Sequence, residues 1–203
     1  MFGLTRKPRL ILASKSPRRA EILRNAGFAF EVRVAHADET RRPRESARNY
    51  VRRLAATKAH IVAEHVRRKN QPAYVIGADT VVVVDGTILE KPTDVKEARR
   101  MLRLLNGKTH QVLTGVSLLA IPAGTEHHHV DVTRVRFLKL TNAEIDDYIA
   151  TGEPFDKAGG YAIQGIAGRF ATRIDGCFFN VMGLPISKVW SMLRAAGWRD
   201  SKP

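Results

Sequence analysis

Apolar positions along this chain switch between two periods, and the switches predict its elements. Arg9 to Ala13 is a short apolar run that reads as a buried strand, followed by a helix from Pro17 to about Asn25 that stops at Gly27. Phe28 to Val34 alternates and reads as a second strand. A long helix is predicted over about Ser46 to Arg68, with Val51, Leu54, Ala55, Ala59, Val62 and Val66 at the spacing of one helical face. Tyr74 to Val84 is rich in β-branched residues, and Asp85-Gly86 signals a hairpin before Thr87-Ile88-Leu89. Asp94 is placed to cap a helix that buries Val95, Ala98, Met101, Leu102 and Leu105 and closes at Asn106-Gly107. Gln111 to Ile121 and Val130 to Leu140 read as long strands joined through Pro122-Ala123-Gly124. A short helix over Asn142 to Ala150 and a final amphipathic one over Ile186 to Ala196 enclose a glycine-rich loop, Gly152 to Gly168. Strands and helices interleave without a repeat, so the expected class is α/β, with a mixed, curved central sheet flanked by helices.

Composition narrows this reading. The 203 residues suit a single domain, with residues 1–8 as a loose extension. The longest aliphatic run, Val81 to Val84, is far too short to span a membrane, and Leu10-Ile11-Leu12-Ala13 is too short for a secretory core. A basic transit peptide would cut into the first strand, so the expected location is cytoplasmic. Cys177 is the sole cysteine, which excludes an internal disulfide and a thiolate metal cage. It falls at an expected strand end and reads as a small packing residue.

The formal charge of +14 is uneven. Residues 1–70 carry 18 Lys/Arg against 6 Asp/Glu, while the remainder carries 16 against 14. Much of the excess lies in the helical stretch Arg41 to Lys69, where a solvated basic face is expected. His127-His128-His129 lies beside a predicted hairpin turn. Successive side chains on a strand alternate faces, so at most two of the three could converge on one metal.

Two segments carry the strongest chemical signals. In Ser14-Lys15-Ser16-Pro17-Arg18-Arg19, Ser16 is placed as an N-cap and Pro17 as the first helical residue. Arg18 and Arg19 then fall in the first turn, where the macrodipole disfavours cations by roughly 0.3–1 kcal/mol each. A bound phosphate reverses that sign, because backbone N–H groups, two guanidinium forks and two hydroxyls would converge on one anion. The second segment is Gly77-Ala78-Asp79-Thr80, which leads into four valines. A carboxylate in so apolar a strand must be paired, hydrogen-bonded, metal-bound or shifted in pKa, or else cap a bend.

Other residues are ambiguous alone. Asp38-Glu39 could add a metal-binding carboxylate. Lys58 borders the apolar stripe of its helix and either snorkels or points at the arginines' site. Glu90-Lys91-Pro92 ends the hairpin and could return a second lysine. Cations combined with carboxylates favour phosphoryl chemistry. No Walker A loop occurs, and Gly159 to Gly165 lacks dinucleotide-fingerprint spacing. Gln164, between glycine segments, is a candidate for reading a ligand's polar edge.

Over almost its whole length the sequence resembles the Maf family of nucleoside triphosphate pyrophosphatases. The resemblance rests on LILASKSPRRAEIL, Asp38-Glu39, ATKA around Lys58, GADTVV followed by EKP, LNGKTHQVLTGV, TGEPFDKAGGYAIQG and the FNVMGLP segment ending at Pro185. It implies a Maf/ITPase-like fold and cleavage between the α- and β-phosphates with Mg²⁺ or Mn²⁺. It further implies Asp79 as the catalytic carboxylate, Glu39 with Asp79 as metal ligands, and Ser14, Arg18, Arg19, Lys58 and Lys91 as phosphate-binding residues. Arg18, Thr80 and Gln164 are implied to bear on substrate choice. The glycine-rich stretch is similar to the subgroup acting on dTTP and UTP rather than the one associated with 7-methyl-GTP. A glutamine can accept from the N3–H of uracil or thymine and donate to a ring carbonyl, yet its rotated amide suits cytosine equally. The finer preference therefore comes from the resemblance.

The expected partner is a nucleoside triphosphate, with no membrane and with room for a homodimer. A basic nucleic-acid-binding module is the alternative of a different class. It leaves Asp79 and Lys91 without a task.

Overall fold

The computed structural model describes residues 8–68 and 72–199. Apart from Pro8, the expected N-terminal extension lies outside the described residues, as does Lys69 at the end of the basic stretch. The first strand, β1 (Arg9–Ala13), buries Leu10 to Ala13. Helix α1 (Pro17–Asn25) opens on proline and gives way at Gly27, whose φ of 81° lies in the left-handed region. Strand β2 (Glu31–Val32) is much shorter than the predicted Phe28–Val34. It pairs in parallel with Ile11 and Leu12 only, while Val32 and Val34 stay about half exposed, so the alternation there marks a sheet edge rather than a buried face.

Helix α2 (Ala47–Arg67) is capped by Ser46, whose side chain accepts from Asn49 N. All six predicted stripe residues are buried, and Lys58 is buried with them. Strands β3 (Ala73–Val84) and β4 (Thr87–Leu89) form the predicted hairpin, with φ of 48° at Asp85 and 75° at Gly86. Helix α3 (Val95–Leu105) starts at the predicted cap, Asp94, which accepts from Glu97 N. Val95, expected in its core, is exposed, because the packed stripe begins one turn later at Ala98.

Strand β5 (Thr109–Ile121) matches its prediction closely, whereas β6 (Glu126–Phe137) starts earlier and ends earlier than Val130–Leu140. Leu138 to Leu140 leave the strand because the Asn106 amide takes both backbone groups of Leu140, accepting from its N at 2.6 Å and donating to its O at 2.9 Å. Helix α4 (Asn142–Ala150) carries a capping box between Thr141 and Glu144. The glycine-rich loop is built from short 3₁₀ turns at Glu153–Asp156, Ala158–Gly160 and Ile166–Phe170. Strand β7 (Ala171–Asp175) and helix α5 (Phe178–Met182) follow, then α6 (Ile186–Ala195). Cys177 lies half-buried just beyond β7 as the cap residue of α5, not within a strand.

The strands form a mixed sheet of order β2-β1-β3-β5-β6-β7, with β4 on β3. The β1 pairings with β2 and β3 are parallel, while β3–β4 and β6–β7 are antiparallel. By its contacts the chain divides into two compact units. The first comprises the chain up to Asp79, Gly115–Val130 and the chain from Leu184, and the second comprises Thr80–Thr114 and Asp131–Gly183. In the first, α2 packs through Ala59, Val62, Ala63 and Val66 onto Ile11, Val75 and Leu119. In the second, α3 and α4 pack with Val82, Val112, Phe137, Tyr161 and Phe170. Buried there, His110 is pushed down to about 4, and its Nε2 lies 2.8 Å from the Tyr161 hydroxyl. Among the described residues no helix is long and apolar enough to cross a membrane.

Two glycines set the distance between α2 and the strands beneath it. A Cβ on Gly77 would stand 2.1 Å from Ala55 O and 2.7 Å from Ala59 N; one on Gly115 would stand 2.3 Å from Val51 O. The obstacles are helix backbone, which cannot swing aside as a side chain can. Gly77→Ala is therefore expected to cost about 1–3 kcal/mol or more. The check is chemical denaturation, read as a lower midpoint at unchanged slope.

Candidate active site

Ser14 follows β1 directly and is buried. Its Oγ accepts from Ser16 N at 3.2 Å and from Arg19 Nη1 at 3.1 Å, which leaves the Ser14 proton to donate elsewhere. Ser16 occupies the predicted N-cap position, but its side chain makes no capping hydrogen bond. Arg19 is buried and also donates to Ala78 O at 2.9 Å, so a cation from the first turn of α1 reaches the strand beside Asp79. Arg18 is half-buried.

The period of two along β3 places Gly77 and Asp79 on one face. Gly77 admits α2, and Lys58 of that helix then meets Asp79: Nζ donates to Asp79 Oδ1 at 2.7 Å. The same Nζ lies 2.7 Å from Glu39 Oε1. Asp38 does not join them, because its Oδ1 accepts from Thr40 N within its own loop. That loop is tied to α2 by the Tyr50 hydroxyl, which donates to Glu39 O at 2.7 Å, and by Arg53, which donates to Thr40 O and to both oxygens of Glu45. Glu45, so bonded, sits well below the usual carboxylate range, at about 2.

Burial pushes Asp79 above the ordinary carboxylate range, against the lowering charges of Lys58 and Arg19. Burial likewise pushes the Arg19 guanidinium down, and the Asp79 charge opposes it. A buried carboxylate poised by two cations can accept a proton from water, and the surrounding cations suit a phosphate. Asp79 and Glu39 share one ammonium, so their oxygens are hard donors within twice 2.7 Å of each other. Among the described residues no group of three or more His, Cys, Asp or Glu side chains could hold a metal alone. Two carboxylates nonetheless fit Mg²⁺ or Mn²⁺, which keep waters and take substrate phosphate oxygens as further ligands.

The structure thus brings together Ser14, Arg19, Glu39, Lys58 and Asp79 in the first unit. Thr80, Lys91 and Gln164 belong to the second. The Thr80 hydroxyl lies 2.9 Å from that of Thr114, which donates to Asn180 O. Lys91 is exposed just after β4, where the Glu90 carbonyl accepts from Gly159 N. Gln164 is exposed between two of the short turns. The roles of Tyr50, Arg53 and the Ala78 carbonyl had no sequence signal beyond position on α2 and β3.

The basic face of α2 points elsewhere. Asn49, Arg52, Arg53, Ala56 and His60 line an open pocket of about 590 Å³, half a helical turn from Lys58. His60 and His128 there both approach Glu126, at 3.1 Å.

With this geometry established, three relatives can be compared. The dTTP/UTP pyrophosphatase of Koribacter versatilis (strain Ellin345) is 49% identical over 93% of this chain and 94% of its own. Those of Anaeromyxobacter dehalogenans (strain 2CP-C) and Geobacillus sp. (strain WCH70) are 48% and 49% identical, over 94% and 93% of this chain and 95% and 98% of theirs. A solved dITP/XTP pyrophosphatase of Mycobacterium abscessus aligns with 65% of this chain and 75% of its own at 14% identity and a TM-score of 0.36, a likeness too slight to carry weight. The family model described as "Maf-like protein" matches residues 9–196, and this chain belongs to the Maf family.

Proposed function

We propose that this protein is a nucleoside triphosphate pyrophosphatase that hydrolyses dTTP and UTP to the monophosphate and pyrophosphate. The observation that carries the reading is the buried Asp79 carboxylate, held with Glu39 on Lys58 and flanked by Arg19 and Ser14. High identity to relatives named for this activity supports the substrate.

In this reading Asp79 takes the proton of a water whose oxygen attacks the α-phosphorus. The bond from that phosphorus to the bridging oxygen breaks, and pyrophosphate leaves with the electron pair. Arg18, Arg19, Lys58 and Lys91 neutralise charge on the triphosphate and the departing pyrophosphate, and Ser14 donates to a phosphate oxygen. Glu39 and Asp79 would hold Mg²⁺ or Mn²⁺, whose chemistry is to neutralise phosphate oxygens. Arg18, Thr80 and Gln164 select the substrate, Gln164 through its amide. The whole Maf-matched chain acts as one nucleotide-handling domain in the cytoplasm.

A panel of triphosphates assayed for pyrophosphate with Mg²⁺ or Mn²⁺ tests the substrate, and dTTP and UTP are expected to lead. A panel led by 7-methyl-GTP, or one without turnover, would overturn the proposal. Asp79→Asn is expected to lower kcat by about 10²–10⁴-fold while nucleotide binding persists, measured by titration alongside turnover. Because burial raises Asp79 and the base must be ionised, the acid limb of kcat/KM should fall above the ordinary carboxylate range. Lys58→Met removes a charge that lowers Asp79, so in that variant the limb should move to higher pH. Gln164→Glu should weaken use of dTTP and UTP, since a carboxylate cannot donate to a ring carbonyl; unchanged relative rates would remove Gln164 from selection.

A further inference from the structure

Glu153 opens the first short turn after α4, and its carboxylate gathers donors from two places. Its Oε1 accepts from the Tyr148 hydroxyl at 2.9 Å and from Ala167 N at 3.2 Å, and its Oε2 accepts from Ile166 N at 2.9 Å. The first N–H groups of the turn Ile166–Phe170 have no acceptor within that turn, so the carboxylate supplies one from outside. Gly165 lies flat against this arrangement, because a Cβ there would stand 2.4 Å from Glu153 Oε2.

The anchor beneath Glu153 is rigid. Tyr148 is fully buried in α4, with its ring edge-on to Phe170 at 5.3 Å between centroids. Burial first, and then the Glu153 carboxylate, push the Tyr148 phenol up, so it stays a donor throughout the neutral range. Ala167 is buried on the gripped side, whereas Gln164, next to Gly165, is exposed. A glycine neighbour would otherwise let the backbone at Gln164 adopt many directions. A rotatable amide reads a base edge only if its anchor is held.

We propose that Glu153 is a specificity-positioning residue, whose carboxylate pins Gly165 to Ala167 and so aims Gln164 at the nucleobase. This deepens the proposed function and rests on its assignment of Gln164. A carboxylate is required because two acceptor oxygens serve three donors; in either amide orientation a glutamine would turn its NH₂ toward a backbone N–H, that of Ile166 or that of Ala167.

The test is Glu153→Gln in the full chain, assayed with dTTP, UTP, CTP and ATP. KM for dTTP and UTP should rise about tenfold with kcat nearly unchanged, and their kcat/KM advantage over CTP and ATP should shrink about tenfold. Amide hydrogen exchange at Ile166 and Ala167 should accelerate in the same variant. Tyr148→Phe, which removes one donor and leaves both backbone contacts, should reproduce the change in ranking more weakly and serves if the first variant does not fold. An equal loss with all four nucleotides, or unaltered exchange at Ile166 and Ala167, would overturn the proposal. Gln164→Ala separates this from the parent reading. If it alters the ranking while Glu153→Gln leaves it intact, the proposal fails and the parent assignment stands; if it leaves the ranking intact, Gln164 is not the reader and both fail. If both alter the ranking and the double variant adds nothing further, Glu153 acts through Gln164.

Discussion

A missing side chain at Gly77 lets the backbone of α2 lie against β3, and the position of Lys58 follows from that contact. The helix passes so near that Ala55 O would stand 2.1 Å from any Cβ at Gly77, and Gly115 makes the same allowance on β5. Two residues further along the same strand face, Asp79 meets the ammonium that the helix brings down. The loop carrying Glu39 is in turn hung from α2 through Tyr50 and Arg53. One helix thus sets both carboxylates and the cation between them. Any change that lifts α2 would separate Lys58 from Asp79 before it disturbed either residue chemically.

That placement has an electrostatic cost. Removing a charged carboxylate or ammonium from water costs several kcal/mol even after relaxation, and a salt bridge recovers that only when its geometry is good and its other hydrogen bonds are satisfied. Lys58 answers with two carboxylates at 2.7 Å, and Arg19 answers with Ser14 and the Ala78 carbonyl. The cluster therefore holds two cations against two carboxylates, close to neutrality. A triphosphate would add several negative charges to it. Under the proposed reading, Arg18, Lys91 and a divalent cation on Asp79 and Glu39 would offset that charge.

Most elements were legible because local chemistry and global packing agree. Asp94 caps where sequence places it, and Asp85-Gly86 turns as its residue types require, whereas Ser16 holds its predicted position without a capping hydrogen bond. The misses share one cause. The extent of β2 depends on pairing with only Ile11 and Leu12, and the end of β6 depends on a side chain distant in sequence, Asn106. Strand β7 exposes most of its residues, so it has no buried alternation to read. At the site, apolar flanks marked Asp79, while residue types alone left Asp38 and Glu39 undistinguished and only the family resemblance singled out Glu39. It is the loop's path that turns Asp38 onto Thr40 and Glu39 onto Lys58. The importance of Gly77 was equally hidden. A glycine in a strand signals a close approach without naming what approaches.

The bond proposed to break is the same in every nucleoside triphosphate, so the residues that break it have little means of choosing among bases. Ser14, Arg19, Lys58 and Asp79 offer charge and hydrogen bonds suited to phosphate and water, and a purine triphosphate would present them with the same oxygens. Selection must therefore come from groups that touch the base, and those must be held as firmly as the catalytic ones to convert contact into discrimination. Asp79 is held by burial and two cations. An exposed amide such as Gln164 has no burial to hold it, and the turn beside it begins with unsatisfied N–H groups. The Glu153 carboxylate answers both deficiencies through one set of hydrogen bonds, anchored on a tyrosine that the core keeps in place. Under the proposed reading both ends are held by hydrogen bonds to groups that the core keeps in place, Asp79 by Lys58 and the segment beside Gln164 by Glu153.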